Sequence, residues 1–176
     1  MDTNKIIIWK ANLNDVSVLE KISIDTFTET FASQNTKEDM DLFLKECFNS
    51  DAIASEIKDE NTAYFLAYLG NELSGYVKTR NASHPDFSSQ NAIEIARIYV
   101  YELFHGKKIG AALMQQVLDL AKNNKTDVVW LGVWEYNPKA IDFYKRWGFN
   151  VFGKHIFRLG TDDQNDLLMC KYLTEK

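Results

Sequence analysis

The chain has little of what several classes of small proteins depend on. Its 176 residues include two cysteines, without a CxxC spacing, and three histidines, so we expect neither a disulfide framework nor a metal site. Two prolines and eight glycines exclude a collagenous or low-complexity chain. No apolar run approaches the roughly 20 residues that span a bilayer, and the N-terminus shows no signal-peptide core. We therefore expect a soluble, cytoplasmic protein without a membrane partner.

Positive charge is also scarce. Twenty lysines and arginines against 25 aspartates and glutamates give a net charge of −5, whereas a nucleic-acid-binding surface needs cations. We therefore predict no nucleic-acid partner, and an acidic protein suits a cationic substrate. The length and the 45% of hydrophobic residues predict a single domain, residues 1–176, with one core. The sequence leaves open whether the protein is a monomer or a homodimer.

Hydrophobic periodicity predicts an α/β protein. Alternating or β-branched apolar runs predict strands, and i/i+3/i+4 spacing behind capping residues predicts helices. The order β-ααα-ββ-β-α-β-α-β-β places helices on both faces of a sheet. The predicted strands cover residues 5–9, 63–69, 73–80, 92–101, 128–134, 150–158 and 167–173. The predicted helices begin near Asp15, Thr36, Asn49, Lys108 and Asn137.

A glycine-bearing loop leads into the fourth helix. The segment FHGKKIGAAL, residues 104–113, stands where the free backbone N–H groups of a helix start favour an anion such as a pyrophosphate. Gly106 and Gly110 let the backbone approach a ligand, and Lys107 and Lys108 add positive charge. The loop has neither the GxxxxGK[ST] nor the GxGxxG pattern. Taken alone, it is equally well interpreted as an ordinary strand-to-helix turn.

The segment WLGVWEYNPKAIDFYKRWGF, residues 130–149, changes that interpretation. It predicts a strand followed by a helix with Asn137 at its N-cap, and Tyr144 lies about two turns further on the same side. Together with the loop, this arrangement resembles the GNAT superfamily of N-acetyltransferases over the whole chain. The segments TFTETFASQNTKEDM, EIARIYV and WLGVWEYN resemble, more specifically, the bacterial PaiA-type spermidine/spermine acetyltransferases.

The resemblance implies a fold and a cosubstrate. The GNAT fold is a mixed, mostly antiparallel central sheet of about seven strands, in which two central strands separate to admit the pantetheine arm of acetyl-CoA. No metal is implied. The residues implied to bind acetyl-CoA are the backbone of Ile98, Tyr99 and Val100, the loop residues His105, Gly106, Lys107, Lys108, Ile109, Gly110 and Ala111, and the side chains of Asn137 and Tyr144.

Two loop positions depart from the superfamily pattern. His105 stands where the pattern has Arg or Gln, and Lys108 stands where it has its first glycine. Because the phosphate contacts in this superfamily are made mostly by backbone groups, we expect the loop to bind the diphosphate in spite of both changes. A third departure is Ala96, at a position where PaiA-like relatives can carry a glutamate, and it leaves the general base open.

Acetyl transfer to an amine needs an acid for the leaving thiolate and a base for the ammonium. The resemblance implies Tyr144 as the acid, with a core tyrosine as the alternative. Period-two alternation places Glu94 on one strand face with Ala96 and Ile98, which makes Glu94 a candidate base, with a water relay as the alternative.

Three further side chains bear on the acceptor. Asp25 and Glu29 are neighbours on the first helix and are candidates for binding a polycation, or else form a solvated helix face. Arg97, inside a strand covered on both faces, should have a carboxylate partner. Trp134 or Tyr136 is a candidate to flank an ammonium group.

The sequence thus predicts an acetyl-CoA-dependent N-acetyltransferase that acts on a small-molecule amine, in first place a polyamine, by direct transfer in a ternary complex. Neither cysteine lies near the expected thioester, so no acetyl-cysteine intermediate is expected. Two alternatives remain at this point. The acceptor could be a protein N-terminus, an amino acid or an aminoglycoside, or the chain could be a CoA-binding regulatory module without turnover.

Overall fold

One seven-stranded sheet organises the chain, as seen in a computed structural model that describes residues 5–173. The strand order is β1-β2-β3-β4-β5-β7-β6, and β4 and β5 form the parallel pair among otherwise antiparallel neighbours. The strands are β1 (Ile6–Lys10), β2 (Thr62–Leu69), β3 (Glu72–Asn81), β4 (Ala92–Val100), β5 (Val128–Trp134), β6 (Asn150–Leu159) and β7 (Asp162–Tyr172). This confirms the predicted mixed, mostly antiparallel sheet.

Five helices cover the two faces of the sheet, as expected. They are α1 (Val16–Phe31), α2 (Lys37–Cys47), α3 (Ser50–Lys58), α4 (Ile109–Asn123) and α5 (Pro138–Arg146). The apolar side of α4, including Leu113 and Val117, packs with α5 on one face. The first three helices pack on the other face, where α1 and α3 enclose Tyr64 and Tyr76. We call the two surfaces of the sheet the α4–α5 face and the α1–α3 face.

The two central strands separate after a short paired stretch. β4 and β5 pair at three positions, from Ala92 opposite Val128 to Glu94 opposite Trp130. Beyond these pairs, β4 continues to Val100 and β5 to Trp134 with no ladder between them in the described chain. The backbone groups of residues 95–100 that point towards β5 therefore have no strand partner. We call this opening the gap.

A β-bulge in β4 changes which side chains share a face. The β3–β4 register passes from Ile95 opposite Thr79 to Arg97 opposite Lys78, so Ala96 is the extra residue. As a result Ile95 and Ile98 both pack on the α4–α5 face, whereas Tyr99 packs on the α1–α3 face.

The last hairpin is longer than the sequence predicts. β7 was expected from residue 167 but begins at Asp162, directly after the turn at Gly160 and Thr161. The segment Asp162 to Asp166 is polar and has low strand propensity. Its pairing with β6 and the contact of the Thr161 N–H with Asp39 Oδ1 (2.6 Å) extend the strand through tertiary interactions that no local pattern reports.

Candidate active site

The N-terminus of α4 presents a set of free backbone donors. The N–H groups of Gly106, Lys108, Ile109, Gly110 and Ala111 have no hydrogen-bond partner within residues 5–173. No side chain caps this end of the helix. Free donors and the positive end of the helix dipole together favour a bound anion. This geometry suits the diphosphate of a coenzyme A, and most of the contacts are of the backbone type that tolerates sequence change.

Lys108 explains why the superfamily pattern has glycine at this position. Its backbone is left-handed, with φ of 66°, a conformation that costs a residue with a Cβ about 1–2 kcal/mol. Gly106 is also left-handed, with φ of 79°, and a Cβ there would meet no atom within 4 Å. The loop therefore keeps its geometry although Lys replaces the glycine. Lys107 places Nζ 4.8 Å from the centre of the Phe104 ring.

The loop adjoins both the end of β4 and α5. A ring nitrogen of His105 lies 3.0 Å from the Val100 carbonyl oxygen. A Cβ added to Gly110 would lie 3.7 Å from the Phe143 ring of α5 and 3.9 Å from Val100. The loop residues, the unpaired end of β4 and the start of α5 thus surround one opening. The side chain of Ile109 is buried, so this residue offers the opening its backbone alone.

Asn137 caps α5 and keeps one end of its amide free. Its Oδ1 accepts a hydrogen bond from the Ala140 N–H at 3.1 Å, the arrangement expected of an N-cap. Its Nδ2 has no partner in the described chain. The cap fixes the orientation of the side chain, so the NH₂ group is available to donate to a ligand carbonyl.

Tyr144 combines burial with a free hydroxyl. The residue is 7% exposed and packs against the Phe143 and Phe149 rings. Its hydroxyl has no hydrogen-bond partner in the described residues, yet it is not among the fully enclosed polar atoms. Burial raises the pKa of Tyr144 above its ordinary value, so the hydroxyl keeps its proton well into the alkaline range. A protonated, unpaired hydroxyl at an opening is suited to a general acid.

Glu94 does not lie where alternation predicted. Because of the bulge at Ala96, Glu94 and Ile98 lie on opposite faces of the sheet, so the expected shared face is wrong. Glu94 also belongs to the part of β4 that is paired with β5, about 13 Å along the strand from Ile98. Its carboxylate is in an ion pair with Arg80.

Asp25 and Glu29 face the same segment after β4, and their carboxylates have partners. Asp25 accepts a hydrogen bond from the Tyr101 hydroxyl at 2.8 Å, and Glu29 accepts one from the Glu102 N–H at 3.0 Å. Both residues line an open groove of ≈ 330 Å³ together with Glu72. The two carboxylates therefore tie α1 to the end of β4 and also contribute negative charge to a surface groove.

Arg97 has the carboxylate partner that the sequence analysis required. Its Nη1 donates to Glu56 Oε2 at 3.2 Å and to the Tyr64 hydroxyl at 2.8 Å. Lys78 forms a second ion pair with Glu56. Burial alone would raise the pKa of Glu56, but Arg97 and Lys78 outweigh it and lower that pKa. This network joins α3 to three strands.

The α1–α3 side of the gap is lined in part by Phe31, Asp166 and His155, which the sequence analysis did not single out. The Phe31 ring contacts Tyr99 of β4 and Trp134 of β5, with centroid distances of 6.4 and 6.0 Å. Tyr136, the other aromatic expected near the acceptor, is 72% exposed. Asp166 of β7 and His155 of β6 lie on the same face. No local motif marks Phe31, Asp166 and His155, because they come from three separate elements, α1, β7 and β6.

Residues 5–173 contain no group of three or more His, Cys, Asp or Glu side chains that could hold a metal ion. None of their helices is long and apolar enough to cross a membrane.

Comparisons with known proteins agree with this geometry. Residues 20–149 match the Acetyltransferase (GNAT) family. An uncharacterised N-acetyltransferase of Lactobacillus delbrueckii subsp. lactis is 34% identical over 94% of this chain and 96% of that protein. A spermidine N(1)-acetyltransferase of Thermoplasma acidophilum is 22% identical over 82% of this chain and 88% of that protein.

A solved structure shows the same fold. The crystal structure of the PaiA N-acetyltransferase from Thermoplasma acidophilum in complex with coenzyme A matches with a TM-score of 0.80 and 21% identity. The match covers 96% of this chain and 99% of that one. A separated pair of central strands with an anion site at the following helix defines an enzyme that transfers an acyl group from coenzyme A. The chain belongs to the GNAT acetyltransferase family and is an acetyl-CoA-dependent N-acetyltransferase.

Proposed function

We propose that the chain transfers the acetyl group of acetyl-CoA directly to a primary amine of a polyamine such as spermidine or spermine. The observation that carries this proposal is the gap. The unpaired edge of β4 and the free N–H groups at the start of α4 adjoin it, and the unpartnered Tyr144 hydroxyl is carried by α5, which packs beside the loop. The named activity of the Thermoplasma relative supports the choice of a polyamine.

Different groups of the chain would bind different parts of acetyl-CoA. The free N–H groups of Gly106 and of residues 108–111 would hold the diphosphate of acetyl-CoA, with the side chains of Lys107 and Lys108 adding charge. The N–H groups of His105 and Lys107 donate to the Glu102 and Phe104 carbonyls instead. The free Nδ2 of Asn137 would donate to a pantetheine carbonyl. The backbone of Ile98, Tyr99 and Val100 would pair with the pantetheine as an added strand and hold the thioester carbonyl.

The transfer is proposed to be direct. The amine nitrogen forms a bond to the thioester carbon, the carbon–sulfur bond breaks, and Tyr144 gives its proton to the departing thiolate. Cys170 is opposite Trp130 in the closed part of the sheet, and Cys47 packs with the aromatic cluster around α2. Burial raises the pKa of both thiols, which disfavours the nucleophilic thiolate and argues against an acetyl-cysteine intermediate.

Asp25 and Glu29 are proposed to attract the distal ammonium groups of the polyamine. With Glu72 they put three carboxylates around one groove, against the single ammonium of Lys21. Their role is one of attraction, because both carboxylates already accept hydrogen bonds from the end of β4. Cytoplasmic location and oligomeric state stay predictions.

The test is the release of free thiol from acetyl-CoA with spermidine, spermine, an aminoglycoside and a peptide with a free N-terminus. We expect turnover with the two polyamines. Turnover with the peptide or the aminoglycoside but not with polyamines would contradict the proposed acceptor. Tight acetyl-CoA binding without turnover on any amine would favour a regulatory module instead.

Charge-neutral variants test the groove. Asp25→Asn and Glu29→Gln each keep an oxygen that can accept the existing hydrogen bond. Each should raise the KM for spermidine about three- to fivefold with kcat unchanged, as loss of one exposed charge pair predicts. Asp119→Asn is the matched control, since Asp119 is exposed on α4, outside the groove. An unchanged KM in both groove variants would show that the polyamine lies elsewhere.

A further inference from the structure

A buried carboxylate lies close to the gap and has no role in the transfer described so far. Asp166 is 9% exposed, and no backbone N–H or hydroxyl group within residues 5–173 donates a hydrogen bond to its carboxylate. Its cationic neighbour is His155, whose Nε2 lies 3.6 Å from Asp166 Oδ2. A buried carboxylate with only one neighbouring imidazole to offset its charge is costly to maintain, which favours a further cationic partner.

Gly132 shows where this carboxylate lies. A Cβ added at Gly132 would be 3.2 Å from Asp166 Oδ2 and 3.4 Å from His155 Nε2. Both groups therefore rest against the backbone of β5 at a residue two positions beyond Trp130, the last one paired with β4. The carboxylate and the imidazole thus lie beside the gap, and the absence of a side chain at Gly132 makes room for them.

Aromatic rings lie on the same side of the gap as Asp166 and His155. Trp134 is directly opposite Asp166 in the β5–β7 ladder, and Phe31 contacts both Trp134 and Tyr99 across the gap. Burial raises the pKa of Tyr99, and Tyr144 and Asp166 raise it further, so the three groups are within electrostatic reach of one another. Aromatic faces beside a buried carboxylate are the environment that an alkylammonium prefers.

We propose that Asp166, supported by His155, binds the acceptor ammonium at the gap and takes its proton. This rests on the proposed function, because it assigns a place to the amine of that reaction. The ammonium gives one proton to the Asp166 carboxylate, which passes it through the exposed imidazole of His155 to solvent. The neutral amine then attacks the thioester carbon, the carbon–sulfur bond breaks, and the thiolate takes the Tyr144 proton. The second proton of the former amine replaces the one that Tyr144 lost.

The charges around Asp166 support this assignment. Burial raises the pKa of Asp166, Glu135 raises it further, and His155 opposes both. A carboxylate with a raised pKa is a better proton acceptor for an ammonium than an ordinary one. Asp166 in turn raises the pKa of Tyr99 of β4, which burial already raises, so the Tyr99 hydroxyl stays neutral. Glu94, the candidate from sequence, has its charge paired with Arg80 instead.

The decisive variant is Asp166→Asn, compared on two amines. With an alkylamine that is protonated at pH 7.5, kcat/KM should fall about 100-fold or more, the usual contribution of a general base. The difference in kcat/KM between the wild type and Asp166→Asn should shrink as the pH rises, because the amine then loses its proton without help from the enzyme. With a fluorinated alkylamine that is neutral at pH 7.5, the loss of kcat/KM in Asp166→Asn should stay below about threefold. Acetyl-CoA affinity should be unchanged.

The control is Asp163→Asn, which removes the same charge from an exposed position on the same strand. An equal loss on both amines would show that Asp166 is structural, and an unchanged rate on the protonated amine would also overturn the proposal. Asp166→Asn should fold, because it removes a buried charge. If Asp166→Asn does not fold, His155→Gln, which changes a half-exposed side chain, takes its place. This variant must then lose more activity on the protonated amine than on the neutral one, and an equal effect on both amines refutes the proposal.

The two proposals fail separately. The wild-type enzyme establishes which alkylamine it acetylates, and the Asp166 comparison is then made with that amine. If the wild-type enzyme does not acetylate polyamines but acetylates another alkylamine, the polyamine assignment is wrong. The comparison of Asp166→Asn with the wild type can still be made on that alkylamine. A wild type that acetylates spermidine without any effect of Asp166→Asn overturns only the role of Asp166.

Discussion

Single residues beside the gap have backbone conformations and pKa values that a free chain does not favour. Burial raises the pKa of Tyr144, so its hydroxyl keeps its proton further into the alkaline range, and it has no partner within the described residues. Lys108 is held left-handed by the loop on one side and α4 on the other. Both features are local in sequence but depend on what packs around them.

Tyr144→Phe removes one oxygen and keeps the ring packing. We expect kcat to fall about 100-fold, the lower end of general-acid contributions, because a thiol with a pKa of about 8.5 leaves tolerably without help. Steady-state kinetics with the preferred amine measure this effect, and the melting temperature should not change. Tyr68→Phe, at the β1 edge of the sheet, is the matched control. A kcat within twofold of wild type would make Tyr144 a packing residue.

Lys108→Gly should stabilise the protein by about 0.5–1 kcal/mol, because glycine adopts a positive φ without the cost that a Cβ brings. Lys125→Gly is the matched control, since Lys125 is also left-handed, with φ of 52°, and lies beyond the other end of α4. Urea unfolding should show a gain in both variants, while calorimetry should show weaker acetyl-CoA binding in Lys108→Gly alone. A loss of stability in both would contradict the strain argument.

At the scale of elements, the site is a junction of four parts: the end of β4, the loop, α4 and α5. α5 is closed by a left-handed Gly148, with the Gly148 N–H bonded to the Lys145 carbonyl and the Phe149 N–H to the Tyr144 carbonyl. Together with the Asn137 cap, this closure fixes both ends of the nine-residue helix that carries Tyr144.

Gly110→Val tests the junction. The Cβ itself has room, at 3.7 Å from Phe143, but the two added methyl groups would project between β4, α4 and α5. We expect acetyl-CoA binding to weaken at least tenfold, or by about 1.4 kcal/mol, with the fold retained. Gly110→Ala is the control and should bind nearly as the wild type does. An unchanged dissociation constant for the valine variant, measured by calorimetry, would place the cosubstrate elsewhere.

At the scale of the whole molecule, the Glu56 network joins the α1–α3 layer to the sheet. Glu56→Gln leaves Lys78 and Arg97 as two partly unpaired cations whose side chains are 6% and 15% exposed. We expect a loss of about 3 kcal/mol of stability at pH 7, as for other broken buried pairs. Glu60→Gln, in the exposed turn after α3, is the control.

The pH dependence of that loss follows from the lowered pKa of Glu56. A carboxyl whose folded pKa is lowered stabilises the fold above its unfolded pKa, about 4.5, and loses this contribution as the pH falls through the folded value. The stability difference between wild type and Glu56→Gln should therefore shrink below about pH 4.5. A difference that is constant between pH 7 and pH 3 would show that the charge of Glu56 is not the cause.

The sequence by itself determined the succession of elements, the glycine-bearing loop that leads into α4 and the Asn137–Tyr144 helix. Each of these depends on neighbours within about ten residues: periodicity, caps and a glycine-bearing turn. The tertiary structure alone decided the faces of β4, because the bulge at Ala96 comes from its pairing with β3. It also decided the start of β7, and the meeting of Asp166, His155, Gly132 and Phe31. These residues come from four elements, and only the packed sheet sets the distances between them.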